Sequence, residues 1–244
     1  MAKISEDKLI LNEDSPFQVQ EAYKNLRTNV QFSLPADGCH VIGITSAGRG
    51  EGKSTTTVNL AISFAQLGKK VVVINCDLRL PTVAKKLNIP AKPGLSNYLT
   101  GNNTFKECFK VDKEHELYVL PSGDIPPDPT WLLQSEKMNE MIAGFRQKMD
   151  YVFLDLPPAG IVADAQMMSK VLDGYLLVVE AGVTTYSQVS EMVNSFKLVD
   201  AKILGFIGTM ADKAEGRHYK SYYKKNYYSY GYENAANKSN KSKK

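Results

Sequence analysis

Apolar runs of strand length recur along the chain, separated by stretches with helical spacing. His40–Thr45, Lys70–Asn75, Leu117–Leu120, Tyr151–Leu154, Gly174–Val179 and Ile203–Ile207 are the runs. They are continuously apolar rather than alternating, the pattern of strands covered on both faces. Between them, helices are predicted over Ser54–Leu67, Thr82–Leu87, Leu95–Thr100, Thr104–Phe109, Leu132–Lys148, Ala163–Leu172 and Ser187–Leu198. A further helix is predicted over residues 16–32, where Val19, Ala22, Tyr23, Leu26 and Val30 share a face. Ser15 is its predicted N-cap and Pro16 fits the first turn. Strands alternating with helices predict one α/β domain over residues 1–211, a mostly parallel sheet with helices on both faces.

Near Asp212 the pattern stops. Residues 219–232 hold seven tyrosines among Lys, Ser, Asn and Gly, and Asn234–Lys244 is rich in Asn, Lys and Ser. Residues 212–244 are therefore expected to form a flexible tail. Charge follows the same division. The net charge is +4, and residues 217–244 hold eight Lys or Arg against one Glu, +7, which leaves −3 for the rest. The basic character belongs to the tail.

At 43% hydrophobic residues over a length of 244, the chain can bury a sizeable core. Cys39, Cys76 and Cys108 are scattered and form no CxxC pair. They read as reduced thiols of a cytosolic protein, with neither a structural disulfide nor a metal site. Met1–Asp14 lacks the apolar centre of a signal peptide, and no apolar run approaches the length of a bilayer span. Any work at a membrane needs a recruiting partner.

The chemistry starts at Ala47-Gly48-Arg49-Gly50-Glu51-Gly52-Lys53-Ser54, between a predicted strand and a predicted helix. That context marks a phosphate loop rather than a chance glycine-rich turn. Glycines let backbone N–H groups turn round an anion, and the helix N-terminus adds positive partial charge. The segment Gly48–Thr55 is the expected nucleotide contact, for Mg-ATP. Lys53 is expected to reach the β- and γ-phosphates and Ser54 to ligate Mg²⁺. Asp155 ends an apolar strand and Asp77 lies just past another. In a parallel sheet, strand C-termini gather at the edge where ligands bind, so both acids join Ser54 as candidate metal ligands.

Taken together, the phosphate loop, IleAsnCysAspLeuArg (74–79) and PheLeuAspLeuProPro (153–158) resemble the Walker A, A′ and B motifs of the bacterial tyrosine kinases, relatives of the partition-type P-loop ATPases. GluAlaTyrLysAsnLeuArgThrAsn (21–29), GlyLeuSerAsn (94–97), ProSerGlyAspIleProProAspPro (121–129), AlaAspAla (163–165) and the tyrosine-rich tail extend the resemblance over nearly the whole chain. The resemblance implies a P-loop NTPase-like fold and ATP-dependent phosphorylation of tyrosine. The implied catalytic set is Lys53, Asp77, Asp155, Arg79 and Asn75. The implied acceptors are Tyr219, Tyr222, Tyr223, Tyr227, Tyr228, Tyr230 and Tyr232, in the tail of a neighbouring subunit of a ring. Glu21, Lys24 and Arg27 stand where the family's interface motif lies, although spacing by three also suits a plain solvated helix face. A separate soluble chain implies a membrane adaptor as activator, a tyrosine phosphatase as antagonist, and control of capsule or exopolysaccharide export at the inner face of the membrane. No nucleic acid is expected, although tyrosines in a basic tail can stack on bases.

Departures from the family pattern carry information. Asn75 replaces the first carboxylate of Asp-x-Asp and can neither take a proton nor hold full negative charge. Lys24 replaces an arginine and lacks its planar two-point contact. Thr209 stands where relatives often place the Asn that reads adenine. Gly48 occupies the position of the partition ATPases' signature lysine, which favours a kinase over a partition switch. Glu180 is either a cleft residue or a loop acid. A catalytically weakened nucleotide-binding regulator stays open through Asn75.

Overall fold

A computed structural model describes residues 9–210. The tail tyrosines Tyr219–Tyr232 lie outside the described residues. In chain order the elements are α1 (Phe17–Phe32), β1 (His40–Ser46), α2 (Lys53–Ala65), β2 (Val71–Asn75), α3 (Val83–Lys86), α4 (Leu95–Leu99) and α5 (Phe105–Cys108). There follow β3 (Lys110–Asp112), β4 (Leu117–Leu120), α6 (Pro129–Leu133), α7 (Glu136–Arg146), β5 (Tyr151–Asp155), α8 (Asp164–Met167), β6 (Gly174–Glu180), α9 (Tyr186–Leu198) and β7 (Ile203–Thr209).

The sheet order is β3-β4-β2-β5-β1-β6-β7, parallel except for the β3–β4 pair. β1, β2 and β5 are buried at every position, as strands with helices on both faces must be. Successive strand side chains point to opposite faces. Val72, Ile74, Val152 and Leu154 pack with residues of α4, α6, α7 and α9. Val71, Val73, Tyr151 and Phe153 pack with α1 and α2. That alternation decides the site, because it puts Asn75 and Asp155 on the α2 side, side by side in register.

Several sequence expectations change. Leu132–Lys148 is two helices rather than one, because Ser135 caps α7 by accepting from the Met138 N–H at 3.2 Å. Asp128 caps α6 in the same manner. The helix expected over Ala163–Leu172 is only the four residues of α8. Pro16, not Ser15, is the N-cap residue of α1, and Ser15 instead bonds back to Asn12. The antiparallel edge strand β3 has too few residues to show a pattern. β7, at the other edge, is only partly buried.

Candidate active site

The phosphate loop leaves β1 at Ser46 and enters α2 at Lys53. Gly50 (φ +81°) and Gly52 (φ +89°) are left-handed, a conformation costly for any residue with a Cβ, and Gly52 is the N-cap of α2. The first-turn N–H groups of a 13-residue helix thus face the loop. The loop is wedged from outside by the segment after β5. The Ala159 N–H donates to Ser46 O at 2.9 Å, and a Cβ on Gly160 would stand 2.3 Å from Ala47 O.

A cleft of about 370 Å³ opens above α2, within the range of small-ligand sites. Arg49, Gly50, Gly52, Lys53, Ser54 and Thr55 line it together with Asp77, Arg79 and Leu80. Gly48 and Glu51 are not among the lining residues. The Glu51 carboxylate turns away to accept from the Ala47 N–H (3.0 Å) and the Thr184 hydroxyl (2.7 Å).

Lys53 is the centre of the charge arrangement. Its Nζ is 2.7 Å from Asp77 Oδ2 and 3.7 Å from Asp155 Oδ1. Burial pulls the ammonium down, but Asp155 and Asp77 outweigh it and hold Lys53 above the usual lysine value. Burial pushes the Asp155 carboxyl up, against the pull of the nearby Lys53 ammonium. Asp77 is held from both ends, since its Oδ1 accepts the backbone N–H groups of Arg79 (3.3 Å) and Leu80 (3.0 Å). Its position past β2 is fixed by its own N–H, which donates to Asp155 O at 2.9 Å.

Below Lys53 lies a group of buried polar atoms without hydrogen-bond partners. Both Asp155 carboxylate oxygens and both Asn75 amide atoms belong to it. Such atoms are costly unless something satisfies them. Together with the Ser54 hydroxyl they form an oxygen-rich donor set of the kind a hard divalent cation takes. Mg²⁺ therefore fits Asp155 and Ser54, with Asp77 adjacent. Asn75 and Asp155 both lie fully buried beneath the cleft, which Ser54 and Asp77 line directly.

Arg79 reaches the other rim. Its guanidinium pairs with Asp164 at 2.8 Å, and Thr130 donates to the same carboxylate at 2.5 Å. Asp164 and Thr130 lie on two other helices, so their pairing with Arg79 is not legible from the order of residues along the chain. Thr209 stands where relatives often place the Asn that reads adenine; here its hydroxyl donates to Glu51 O at 2.8 Å and braces the loop. The Thr184 link to Glu51 was also missed, since it spans 133 residues. The candidate interface residues are already engaged within the chain. Lys24 pairs with Glu21 at 2.8 Å, and the Arg27 guanidinium bonds to Ser63 O on α2.

The ParA family model, described as NUBPL iron-transfer P-loop NTPase, matches residues 38–241. Tyrosine-protein kinase YwqD of Bacillus subtilis (strain 168) is 40% identical over 187 residues, covering 77% of this chain and 79% of the relative. Among solved structures, the chimerical protein CapA2B2 superposes with a TM-score of 0.77 at 30% identity, covering 86% of this chain and 92% of that one. The kinase domain of the Escherichia coli tyrosine kinase ETK gives a TM-score of 0.75 at 26% identity, covering 86% and 87% respectively. No helix among the described residues is long and apolar enough to cross a membrane.

Proposed function

The chain belongs to the bacterial tyrosine-protein kinases within the ParA-type P-loop NTPases, and on that footing we propose that it transfers the γ-phosphoryl group of Mg-ATP to tyrosines of its own C-terminal segment on a neighbouring subunit. The observation that carries this reading is the convergence of Lys53, Asp77, Asp155 and Ser54 at the N-terminus of α2. One cation, two carboxylates and a hydroxyl meet where loop amides can cradle phosphates.

The triphosphate lies along Gly48–Thr55. Its β- and γ-oxygens compete with Asp77 for the Lys53 ammonium. When Lys53 turns to the phosphates, Asp77 Oδ2 is released and accepts the proton of the acceptor hydroxyl. The tyrosine oxygen attacks the γ-phosphorus, the bond to the β–γ bridging oxygen breaks, and ADP leaves. Asp155 and Ser54, with Asp77 adjacent, would hold Mg²⁺, which would supply neutralisation of phosphate charge. Arg79, oriented by Asp164 and Thr130, lines the cleft beside Asp77.

Residues 1–211 form the kinase domain in this reading, and 212–244 the substrate tail. Each phosphate adds between −1.5 and −2 charges, roughly, so a few of them reverse the tail's +7. A ring of subunits, with Glu21, Lys24 and Arg27 at its interface, would deliver tails between neighbours. The cytoplasmic end of a membrane adaptor would activate the chain and place it at the membrane. A tyrosine phosphatase would reset it, and polysaccharide synthesis and export would be the regulated process.

The test is to incubate the full chain with Mg-ATP and the adaptor's cytoplasmic segment, then map phosphotyrosine by mass spectrometry. Label on Tyr219–Tyr232 is expected. Absence of label in both the natural chain and an Asn75→Asp variant would overturn the kinase reading. Label only in the variant would favour the second reading, a nucleotide-binding regulator weakened in catalysis. The observation behind that second reading is the uncharged, unpartnered Asn75 beside Asp155.

A further inference from the structure

Glu51 is the one buried acid of the phosphate loop, and phosphate chemistry gives no reason for it. At 4% exposure it places negative charge beside a site for a polyphosphate, an electrostatic cost that calls for a geometric return. Its partners supply that return. Oε2 accepts the Ala47 N–H at 3.0 Å, which folds the loop back on its own start. Oε1 accepts the Thr184 hydroxyl at 2.7 Å, while Thr184 Oγ1 accepts the Glu180 N–H at 2.8 Å. The direction of the Thr184 proton is therefore fixed towards Glu51. The Glu51 carbonyl accepts the Thr209 hydroxyl at 2.8 Å. Through one residue the loop is tied to its own origin at the end of β1, to the turn after β6 and to the end of β7.

We propose that Glu51 is a positioning residue for nucleotide binding, a strut that sets the phosphate loop's shape by bridging Ala47 and Thr184 while Thr209 anchors its carbonyl. The proposal rests on the reading of residues 48–55 as the nucleotide cradle. The space around Gly48 agrees with it, since a Cβ there would stand 3.2 Å from Glu51 Oε1, so the inward carboxylate and a bulky residue at 48 compete for one place. A strut needs shape and two polar contacts rather than charge. A glutamine at 51 keeps the shape and the Ala47 contact through its amide oxygen, and its NH₂ group donates to Thr184 Oγ1 once the threonine proton turns away from residue 51.

The experiment is titration of the full chain with a fluorescent ATP analogue in Mg²⁺, alongside hydrogen exchange of the Ala47 segment without nucleotide. Glu51→Ala is expected to weaken nucleotide binding about ten-fold or more, the loss of a hydrogen bond to a charged group. It should raise KM for ATP more than it lowers kcat, and speed exchange at Ala47. Glu51→Gln recovers most of the lost affinity. Thr184→Val gives a loss of a few-fold, and adding it to Glu51→Ala costs nothing further, because both remove one link. Wild-type affinity in Glu51→Ala and Thr184→Val would overturn the proposal. So would a Glu51→Gln chain that binds nucleotide normally but has lost kcat, which would put the charge in the chemistry. Should Glu51→Ala fail to fold, unchanged affinity in Thr184→Val alone overturns it. If the wild-type chain binds no nucleotide, the nucleotide reading falls, while Ala47 exchange in the variants still decides whether the strut exists.

Discussion

At the scale of single residues, the site holds charges where a protein built only for stability would not. Asp155 is fully buried, both its oxygens lack hydrogen bonds, and its nearest cation is 3.7 Å away. Lys53 meanwhile keeps its shorter contact, 2.7 Å, with Asp77. Asp155→Asn therefore removes a poorly satisfied charge and leaves the better ion pair. In Mg²⁺-free buffer the variant's Tm is expected to hold or rise, by about 2–4 °C for each kcal/mol regained at this size. The added stability from Mg-ATP should vanish. A Tm more than about 4 °C lower would show instead that the Asp155–Lys53 contact stabilises the fold. The thiols give a pH test. Burial pushes the Cys39 thiol up to about 11, with Arg146 pulling it back only in part. Cys76, fully buried near Asp155 and Asp77, is pushed well above the usual thiol value. A raised thiol value leaves little thiolate at neutral pH, and the thiolate fraction grows ten-fold per pH unit below about 11. At pH 8 the folded chain's Cys39 should react with a disulfide reagent about 100-fold more slowly than the same residue in urea. Equal rates in both solvents would mean that Cys39 is open to solvent in the folded chain.

At the scale of elements, glycines report how tightly loops are pressed together. Gly94 precedes α4, and a Cβ there would meet both Pro121 O and Gly123 N at 2.3 Å. The loop after β4 is locked on by Leu95 N–H to Pro121 O, at 2.7 Å, and Ser96 N–H to Ser122 O, at 2.9 Å. Gly94→Ala should therefore cost several kcal/mol, of the order of core overpacking or more, read by urea denaturation. Gly160→Ala acts differently, because its Cβ would strike Ala47 O in the phosphate loop. Its expected signature is weaker nucleotide binding that outweighs the fall in Tm. This contrast also shows what was legible in the sequence. GlyLeuSerAsn and the ProSerGlyAsp segment stood out as motifs, yet only their contact across the sheet edge gives them a job. The phosphate loop was legible because its geometry is local, one strand, one turn and one helix start. Asp77 and Asp155 were legible because strand ends in a parallel sheet share an edge. Thr184 and Thr130 were not, because each acts on a residue 133 or 51 positions away and lies outside any motif, whereas Asp164 stood within AlaAspAla and only its pairing with Arg79, 85 positions away, had no local sign. The split of α6 from α7 escaped because the apolar spacing runs on across Ser135, and only the capping geometry breaks it.

At the scale of the whole molecule, the chain pairs an acidic fold with a basic, tyrosine-rich end, and the proposed transfer can run between subunits or within one. Arg27 is bound to the α2 backbone, and Lys24 and Glu21 bind each other. A ring interface through these residues must therefore exchange bonds already made within the subunit, and assembly should be weak and dependent on salt. Catalysis between subunits can be separated from catalysis within one by mixing two variants. Lys53→Met keeps the tail but loses the cation beside Asp77 that the proposed transfer needs. A chain ending at residue 211 keeps Lys53, Asp77 and Asp155 but has none of the seven tail tyrosines. Alone, each is expected to leave Tyr219–Tyr232 unlabelled by Mg-ATP. Mixed at low ionic strength, label should appear on the Lys53→Met chain, grow with total concentration and fade as salt is raised. Label on Lys53→Met incubated alone would mean that Lys53 is dispensable. A silent mixture, beside a full-length chain whose labelling rate per molecule is independent of concentration, would place the transfer within a single subunit. The tail would then return to the cleft of its own chain, which is within reach of its starting point, because Met210 already lines that cleft.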